Sequence, residues 1–189
     1  NVPKTENSPH LILTRNLASI YDNATAIRAF SLVKKNFPNA KLSIAGSGPE
    51  KLMLEQLVDD LNLVDSVTFL GRVDNTAIND LYRQADVMIN TSLIDNMPIS
   101  ILEALACKVP VVSTNVGGIP FLVKHDETAL LVPPKNPGEI AEAIQHILTN
   151  PEKSRKMAEA GYEMVQHYAW KNVRTQLMEI YERTLSHRF

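Results

Sequence analysis

The sequence is poor in cysteine and has no long apolar run. Cys107 is the only cysteine among 189 residues, which excludes an intrachain disulfide and favours a reducing compartment. The apolar residues just before it, 104–106, predict a core thiol rather than a catalytic nucleophile. No apolar run approaches the roughly 20 residues that cross a bilayer, so we expect no integral membrane segment in this chain.

The sequence also lacks an excess of positive charge and any grouping of metal ligands. Its formal net charge is −2, so it has no basic footprint of the kind that attracts nucleic acid. The 5 histidines are scattered without metal-ligand spacing, and no Ser/His/Asp or Cys/His set is evident. We therefore expect no nucleic-acid partner, no metal site and no chemistry that depends on a general base.

The sequence does contain a regular alternation of short apolar, β-branched runs and longer segments of helical periodicity. Near-continuous apolar strands are typical of a parallel sheet that is covered on both faces. Strand–helix–strand units of this kind build a doubly wound sheet. We predict an α/β fold with a single Rossmann-like parallel sheet of about six strands and helices on both faces. The predicted strands are 10–14, 41–45, 66–70, 87–90, 109–113 and 129–132.

Four amphipathic helices are predicted between the strands, and three extra helices in the last third of the chain. The first four lie around residues 24–37, 54–61, 78–85 and 99–107. The three C-terminal helices follow a break at Pro133, Pro134 and Pro137. We predict that the apolar stripes of all these helices pack in the core, including the last one, which comprises Trp170, Val173, Leu177, Tyr181 and Leu185.

Ligands of a doubly wound sheet bind outside the carboxyl ends of its strands, so the segments that follow the strands are the candidate site. Arg15 follows the first strand, where its planar guanidinium would suit phosphate oxygens, although a lone arginine is more often an ordinary surface residue. Gly46 and Gly48 follow the second strand, and a structural turn is favoured there over a phosphate loop because the G-x-G-x-x-G pattern is absent. The residues 117–118, both glycine, follow the fifth strand, where a cleft wall and a plain turn are equally compatible.

The segment after the fourth strand carries the strongest signals. Pro98 fits the first turn of a helix, whose free N–H groups and positive dipole end attract anions. Glu103 lies on that otherwise apolar helix, where the paired hydroxyls of a sugar would satisfy a carboxylate that is costly to bury alone. Asp95 lies upstream, at the mouth of the same site. The alternatives are that Asp95 caps the helix and that Glu103 is a salt-bridged surface residue. Together these residues favour a ligand with phosphate and hydroxyl groups.

Seven short motifs follow one another along the chain: GSGP at 46–49, VTFLG at 67–71, ADV at 85–87, LEALAC at 102–107, VPVVS at 109–113, GGIP at 117–120 and LLVPP at 130–134. Each is modest alone, but the order and spacing are specific. From about residue 10 to residue 181, the chain resembles the C-terminal domain of retaining glycosyltransferases of family four (group 1), which have the two-Rossmann GT-B architecture.

The resemblance implies a role for each matching position. Arg15, Asp95 and Glu103 would be the catalytic residues: Arg15 binds phosphate, Asp95 contacts the transferred sugar, and Glu103 holds the ribose hydroxyls of the nucleotide. Backbone N–H groups at the start of the following helix would meet the diphosphate, and the loop after the third strand would carry the base. The further donor-binding positions are Tyr21, Val73, Met97, Ile99 and Ser100.

Three positions in this region depart from the family pattern. Tyr21 stands where the family has the lysine that partners the arginine, which removes one positive charge from the leaving-group site. Asp95 stands where the family usually has glutamate, and Pro98, which has no N–H to donate, replaces a glycine. We still expect the chemistry of the family.

The resemblance implies that residues 1–189 form the nucleotide-sugar-binding domain and that the N-terminal acceptor domain lies outside this chain. The reaction would transfer a sugar with retention from a UDP- or GDP-linked donor to a glycan or lipid-linked acceptor, in polysaccharide biosynthesis and without a separate cofactor or metal. The longer protein would act in the cytoplasm or at the inner face of the membrane, and the chain alone would be inactive. The alternatives are a non-catalytic nucleotide-binding module and a nucleotide-sugar 2-epimerase.

Overall fold

The computed structural model describes residues 8–186, in which six parallel strands form one sheet. The strands are β1 (His10–Thr14), β2 (Lys41–Ala45), β3 (Val67–Gly71), β4 (Val87–Asn90), β5 (Val111–Thr114) and β6 (Leu130–Val132). Their order across the sheet is β3-β2-β1-β4-β5-β6. The chain therefore builds outward from β1 in one direction and then, from β4, in the other. The predicted Rossmann-like, doubly wound sheet is confirmed.

The strand bounds agree with the sequence prediction for β1, β2 and β4 and differ slightly for the others. The strand β3 is shifted by one residue, β6 begins one residue later than predicted, and β5 begins at Val111. The difference at β5 has a physical cause. The N–H of Val109 donates to the carbonyl oxygen of Ala104 at 2.9 Å and so closes the preceding helix. Pro110 has no N–H to contribute to a strand.

Helices connect the strands and cover both faces of the sheet, as predicted. They are α1 (Asn23–Asn36), α2 (Lys51–Asp60), α3 (Asn75–Gln84), α4 (Ile99–Ala106), α5 (Ile119–Leu122), α6 (Pro137–Thr149), α7 (Pro151–Val165) and α8 (Trp170–Ser186). The single turn α5 was not predicted, because four residues are too few to show a helical period. Among the described helices, none has both the length and the apolar character that a transmembrane span requires.

The core lies in two layers, one on each face of the sheet. Successive side chains of a strand point to opposite faces, and β1 shows this directly. Leu11 and Leu13 are fully buried in the cluster completed by α1, α2 and α6. Ile12, which lies between them, is fully buried in the cluster that contains residues of α3, α4 and α5. The sheet is thus apolar on both faces, and polar side chains follow β1 and β4 only beyond the ends of these strands.

The last helix departs from the prediction that every apolar stripe packs in the core. Trp170 is 69% exposed, Tyr181 55% and Leu185 64%. The main packing neighbour of α8 is the short turn Gln166–Tyr168 just before it. By contrast, the stripe of α6 is buried as predicted, for example at Ile144, and that of α7 is buried or partly buried except at its predicted last residue, Tyr168, which is 42% exposed. The period of a stripe shows that a helix has an apolar face, but it does not show which surface covers that face.

Two leucines of α2 test the two-layer core. Leu54 is fully buried and Leu52 is 80% exposed, so Leu54→Ala and Leu52→Ala change helix propensity equally and differ in packing. We expect Leu54→Ala to lower the free energy of unfolding by about 2–5 kcal/mol and Leu52→Ala to change it by less than about 0.5 kcal/mol. Urea unfolding followed by circular dichroism measures both. Similar losses in the two variants would contradict the described position of α2.

Candidate functional site

An open cleft of about 520 Å³ lies at the carboxyl ends of the central strands, within the usual size range of small-molecule sites. The order of the sheet reverses between β1 and β4, and ligands of doubly wound sheets bind at this reversal. The cleft therefore lies where the sequence predicted a site. Its lining residues are Thr14, Arg15, Asn16, Ala45, Gly46, Ser47, Arg72, Val73, Ile78 and Glu103.

The loop after β2 presses against the segment that follows β1. A Cβ atom on Gly46 would lie 2.0 Å from the carbonyl oxygen of Arg15, and one on Gly48 would lie 2.2 Å from that of Leu17. The N–H of Leu17 also donates to the carbonyl oxygen of Ser47 at 3.0 Å. Only glycine permits so close an approach, so this loop fixes the backbone that carries Arg15. The segment is a tight turn, and Gly46 and Ser47 also line the cleft.

The glycine pair after β5 holds the segment after β4 in the same way. Gly117 has a φ of +54°, and a Cβ atom on it would lie 2.2 Å from the carbonyl oxygen of Asp95. A Cβ atom on Gly118 would lie 1.9 Å from the carbonyl oxygen of Asn96. The N–H of Gly118 donates to the carbonyl oxygen of Asp95 at 2.8 Å. The pair therefore supports the Asp95 loop from behind and does not itself line the cleft.

Arg15 is mostly buried, so it is not an ordinary surface residue. Its side chain is 14% exposed, and its guanidinium forms an ion pair with Asp95. The Nη1 atom reaches the hydroxyl oxygen of Ser100 at 3.5 Å. The guanidinium carbon lies 4.2 Å from the ring centroid of Tyr21, which is a cation–π contact. The Nε atom is buried and has no hydrogen-bond partner among the described residues. The guanidinium is thus fixed, with a donor still free.

The first turn of α4 is uncapped. Its N-cap residue is Pro98, which makes no side-chain cap hydrogen bond, while the carboxylate of Asp95 pairs with Arg15. The interpretation of Asp95 as a helix cap is therefore wrong. In the described part of the chain, the N–H groups of Ile99 and Ser100 have no hydrogen-bond partner. Free N–H groups at the positive end of a helix dipole attract anions.

Glu103 lines the cleft and has no ion pair with any described residue. The interpretation of Glu103 as a salt-bridged surface residue is therefore wrong. The hydroxyl of Tyr82 donates to its Oε2 atom at 3.0 Å. The other carboxylate oxygen has no protein partner within residues 8–186, so it can accept hydrogen bonds from a ligand in the cleft.

Only some of the predicted donor-binding positions lie at the cleft or contact Arg15. Val73 lines the cleft, while Tyr21 and Ser100 contact Arg15. The side chains of Met97 and Ile99 are 47% and 67% exposed and do not line the cleft. Over the described range, no three His, Cys, Asp or Glu side chains are arranged to hold a metal ion.

Three residues of this region were not identified from the sequence. Thr14 and Arg72 line the cleft, and Tyr82 is fully buried behind it, with its hydroxyl bonded to both Thr14 and Glu103. Tyr82 lies four residues after Ile78 on the same stripe of α3. An aromatic with a polar tip on an apolar stripe needs a buried hydrogen-bond partner, and that was the available signal.

Burial shifts the pKa of two groups beside α4. Burial raises the pKa of the Tyr82 hydroxyl above its ordinary value, so this group remains protonated and can donate. Burial also raises the pKa of the Cys107 thiol. Since the thiolate is the nucleophile, this favours the predicted structural role of Cys107, which is half-buried against the core rather than fully enclosed by it.

Comparison with known proteins assigns the family. The sequence model for glycosyl transferases group 1 matches residues 3–164 of this chain. The chain belongs to the group 1 glycosyltransferase family. N-acetyl-alpha-D-glucosaminyl L-malate synthase of Bacillus anthracis, for example, is 33% identical to it over 161 residues, which cover 85% of this chain and 42% of that protein.

Solved structures of GT-B glycosyltransferases have the same fold. Sucrose-phosphate synthase from Thermosynechococcus elongatus is 29% identical and superposes with a TM-score of 0.82 over 97% of this chain and 47% of that one. HepE from Anabaena in complex with UDP is 23% identical, with a TM-score of 0.86 over 94% of this chain and 49% of that one. This chain spans less than half the length of each of these proteins. The family resemblance predicted from the motifs is confirmed.

Two Gly→Ala substitutions can separate the energetic effect of the close contact between Gly117 and the Asp95 loop from the effect of the positive φ alone. Gly71 also has a positive φ, +67°, but a Cβ atom there would meet nothing within 4 Å. We expect Gly71→Ala to lower the free energy of unfolding by about 1–2 kcal/mol, the cost of the left-handed conformation. Gly117→Ala should lose at least about 1 kcal/mol more, from overpacking. Urea unfolding measures both, and equal losses would mean that the loop does not press on Gly117.

Proposed function

We propose that this chain is the donor-binding domain of a retaining glycosyltransferase that uses a nucleoside diphosphate sugar. The observation that carries the proposal is the arrangement around the cleft. Arg15 and Glu103 line the cleft, and Nη1 of Arg15 reaches the hydroxyl of Ser100 in the first turn of α4 at 3.5 Å. The region thus combines a buried guanidinium, an uncapped helix N-terminus beside it and a carboxylate without an ion pair among the described residues. The first two suit a diphosphate, and the carboxylate suits the hydroxyls of a ribose. HepE, which shares the fold, forms a complex with UDP, and this supports a UDP- or GDP-linked donor.

The donor would lie along the cleft in an extended pose. Its base would pack on Val73, its ribose would meet Glu103, and its diphosphate would reach Arg15 and the N–H groups that begin α4. The transferred sugar would then lie near Asp95. Val73, Arg15 and Glu103 all line the cleft, and Asp95 is paired with Arg15, which supports this pose.

The chemistry would depend on fixed charges rather than on proton transfer. As the glycosidic bond to the diphosphate breaks with retention, negative charge grows on the departing phosphate oxygens. Arg15 and the start of α4 are held in place before the reaction, so they stabilise this charge without reorganising. Tyr21 occupies the position of the family lysine and packs on Arg15 instead of adding a charge. Arg72, which lines the cleft, offers a second positive charge.

The complete reaction would need a further domain. This chain spans 42% of the length of the Bacillus anthracis relative, so we infer that the acceptor, a glycan or lipid-linked hydroxyl, binds to a part of the protein outside residues 1–189. On this proposal the chain alone binds the donor and transfers nothing. The longer protein would be a hexosyltransferase that works in the cytoplasm or peripherally at the inner face of the membrane.

Calorimetric titration with UDP and GDP tests the ribose contact. We expect the chain to bind at least one of the two and Glu103→Ala to bind it about 10–100-fold more weakly, since a hydrogen bond to a charged group contributes roughly 1.5–3 kcal/mol. Glu127→Ala, which removes an exposed carboxylate that does not line the cleft, is the control and should bind like the wild type. Equal affinity of the wild type and of Glu103→Ala would contradict the assignment of Glu103 to the ribose hydroxyls.

The phosphate contact is tested by Arg15→Lys, which keeps a positive charge beside Asp95 but loses the planar fork. We expect about tenfold weaker binding of UDP, or of GDP if that binds more tightly, and unchanged binding of the corresponding nucleoside. Arg28→Lys, at an exposed position of α1, should change neither. The assignment fails if nucleoside and nucleotide lose affinity equally.

Turnover by the longer protein separates the candidate activities. Transfer of sugar to an acceptor, with the anomeric configuration of the donor kept in the product by NMR, supports the proposal. Absence of any turnover would indicate a non-catalytic nucleotide-binding module. Conversion of the donor without an acceptor would indicate a 2-epimerase.

A further inference from the structure

The hydroxyl of Tyr82 connects three elements at the floor of the cleft. Tyr82 is fully buried on α3, and its hydroxyl lies 2.7 Å from the Thr14 hydroxyl oxygen at the end of β1. It lies 3.0 Å from Oε2 of Glu103 and 3.2 Å from the carbonyl oxygen of Ser100, both on α4. Neither the fold nor the proposed donor contacts require a tyrosine hydroxyl here, since phenylalanine would fill the same space.

The hydrogen-bond directions in this network follow from the groups present. A tyrosine hydroxyl has one proton and two lone pairs, whereas the Glu103 carboxylate and the Ser100 carbonyl can only accept. The proton of Tyr82 is therefore donated toward α4, and the charged carboxylate is the stronger acceptor. The Thr14 hydroxyl then donates to the Tyr82 oxygen. This gives a directed chain from Thr14 through Tyr82 to Glu103.

The chain of hydrogen bonds fixes one carboxylate oxygen and leaves the other to the cleft. Oε2 of Glu103 is held by Tyr82, while no other described side chain bonds to the carboxylate. A carboxylate that accepts from two neighbouring ribose hydroxyls must present its plane to them in one orientation. Without the Tyr82 hydroxyl, the Glu103 side chain would be free to rotate, and its oxygens would no longer be aligned with a hydroxyl pair.

We propose that Tyr82 is a positioning residue that orients Glu103 toward the ribose and thereby makes the site select ribonucleotides over 2′-deoxyribonucleotides. This inference rests on the proposed donor site and adds a specificity to it. The buried hydroxyl remains a donor over the working pH range because burial raises its pKa.

The test is calorimetric titration of UDP and 2′-deoxy-UDP into the wild type and into Tyr82→Phe, with GDP and 2′-deoxy-GDP as a second pair. We expect the wild type to prefer the ribonucleotide about tenfold or more. In Tyr82→Phe the affinity for the ribonucleotide should fall about tenfold, and that for the deoxyribonucleotide less than about threefold. Tyr168→Phe, at an exposed position outside the cleft, is the matched control and should keep the preference.

The possible outcomes distinguish failure of the positioning role from failure of the proposed donor-binding function. If Tyr82 were purely structural, Tyr82→Phe would weaken the binding of the ribonucleotide and of the deoxyribonucleotide equally. Equal weakening, or no change in either affinity, would overturn the positioning role while leaving the donor site intact. Failure of the wild type to bind any of the four nucleotides would overturn both.

A second variant covers the case in which Tyr82→Phe does not fold. Thr14→Val keeps the shape of the side chain and removes the donor to Tyr82. We expect it to reduce the preference for the ribonucleotide in the same direction by about twofold to fivefold, and a full preference in this variant would overturn the proposal.

Discussion

The close approach of backbone to backbone at two glycine loops is the constraint on which the cleft depends. The loop after β2 lies against the segment that carries Arg15, and the loop after β5 lies against the segment that carries Asp95. Each loop belongs to a strand next to the one whose continuation it supports. Because both supports are backbone, they cannot change rotamer, and the two charged side chains meet in one geometry. The function proposed for the cleft needs this rigidity, since preorganised charges act without moving.

The sheet could be predicted from sequence because both of its faces are buried. Apolar runs such as that of β1 leave little choice of structure, and proline and glycine mark where the runs end. The helix α5 escaped prediction because one turn has no period. The helix α8 was placed in the core because its stripe is regular, yet Trp170 and Leu185 are exposed. The sequence pattern of a helix shows that the helix is amphipathic, whereas burial of its apolar face depends on residues that are distant in sequence.

The residues of the site likewise fall into those that local sequence identifies and those that depend on contacts between distant elements. Arg15 and Glu103 could be identified because each is a charged residue that directly follows a strand or interrupts an apolar helix. The pairing of Arg15 with Asp95, the packing of Tyr21 on Arg15 and the bond from Tyr82 to Glu103 join residues that are 80, 6 and 21 positions apart. These contacts depend on the crossing of elements, which a single sequence does not specify. Tyr82 in particular lies on the apolar stripe of α3, but the sequence does not show which group its hydroxyl binds.

The ion pair between Arg15 and Asp95 has a consequence for how any anion enters. With both side chains mostly buried, the opposite charges of Arg15 and Asp95 largely cancel, so the pair exerts little long-range attraction on an approaching solute. Occupancy is an exchange in which one anionic partner of the guanidinium is replaced or joined by another. The electrostatic gain on binding is therefore the difference between the attraction of Arg15 to the new anion and its attraction to Asp95. Shape and hydrogen-bond fit, rather than total charge, therefore decide which anion remains.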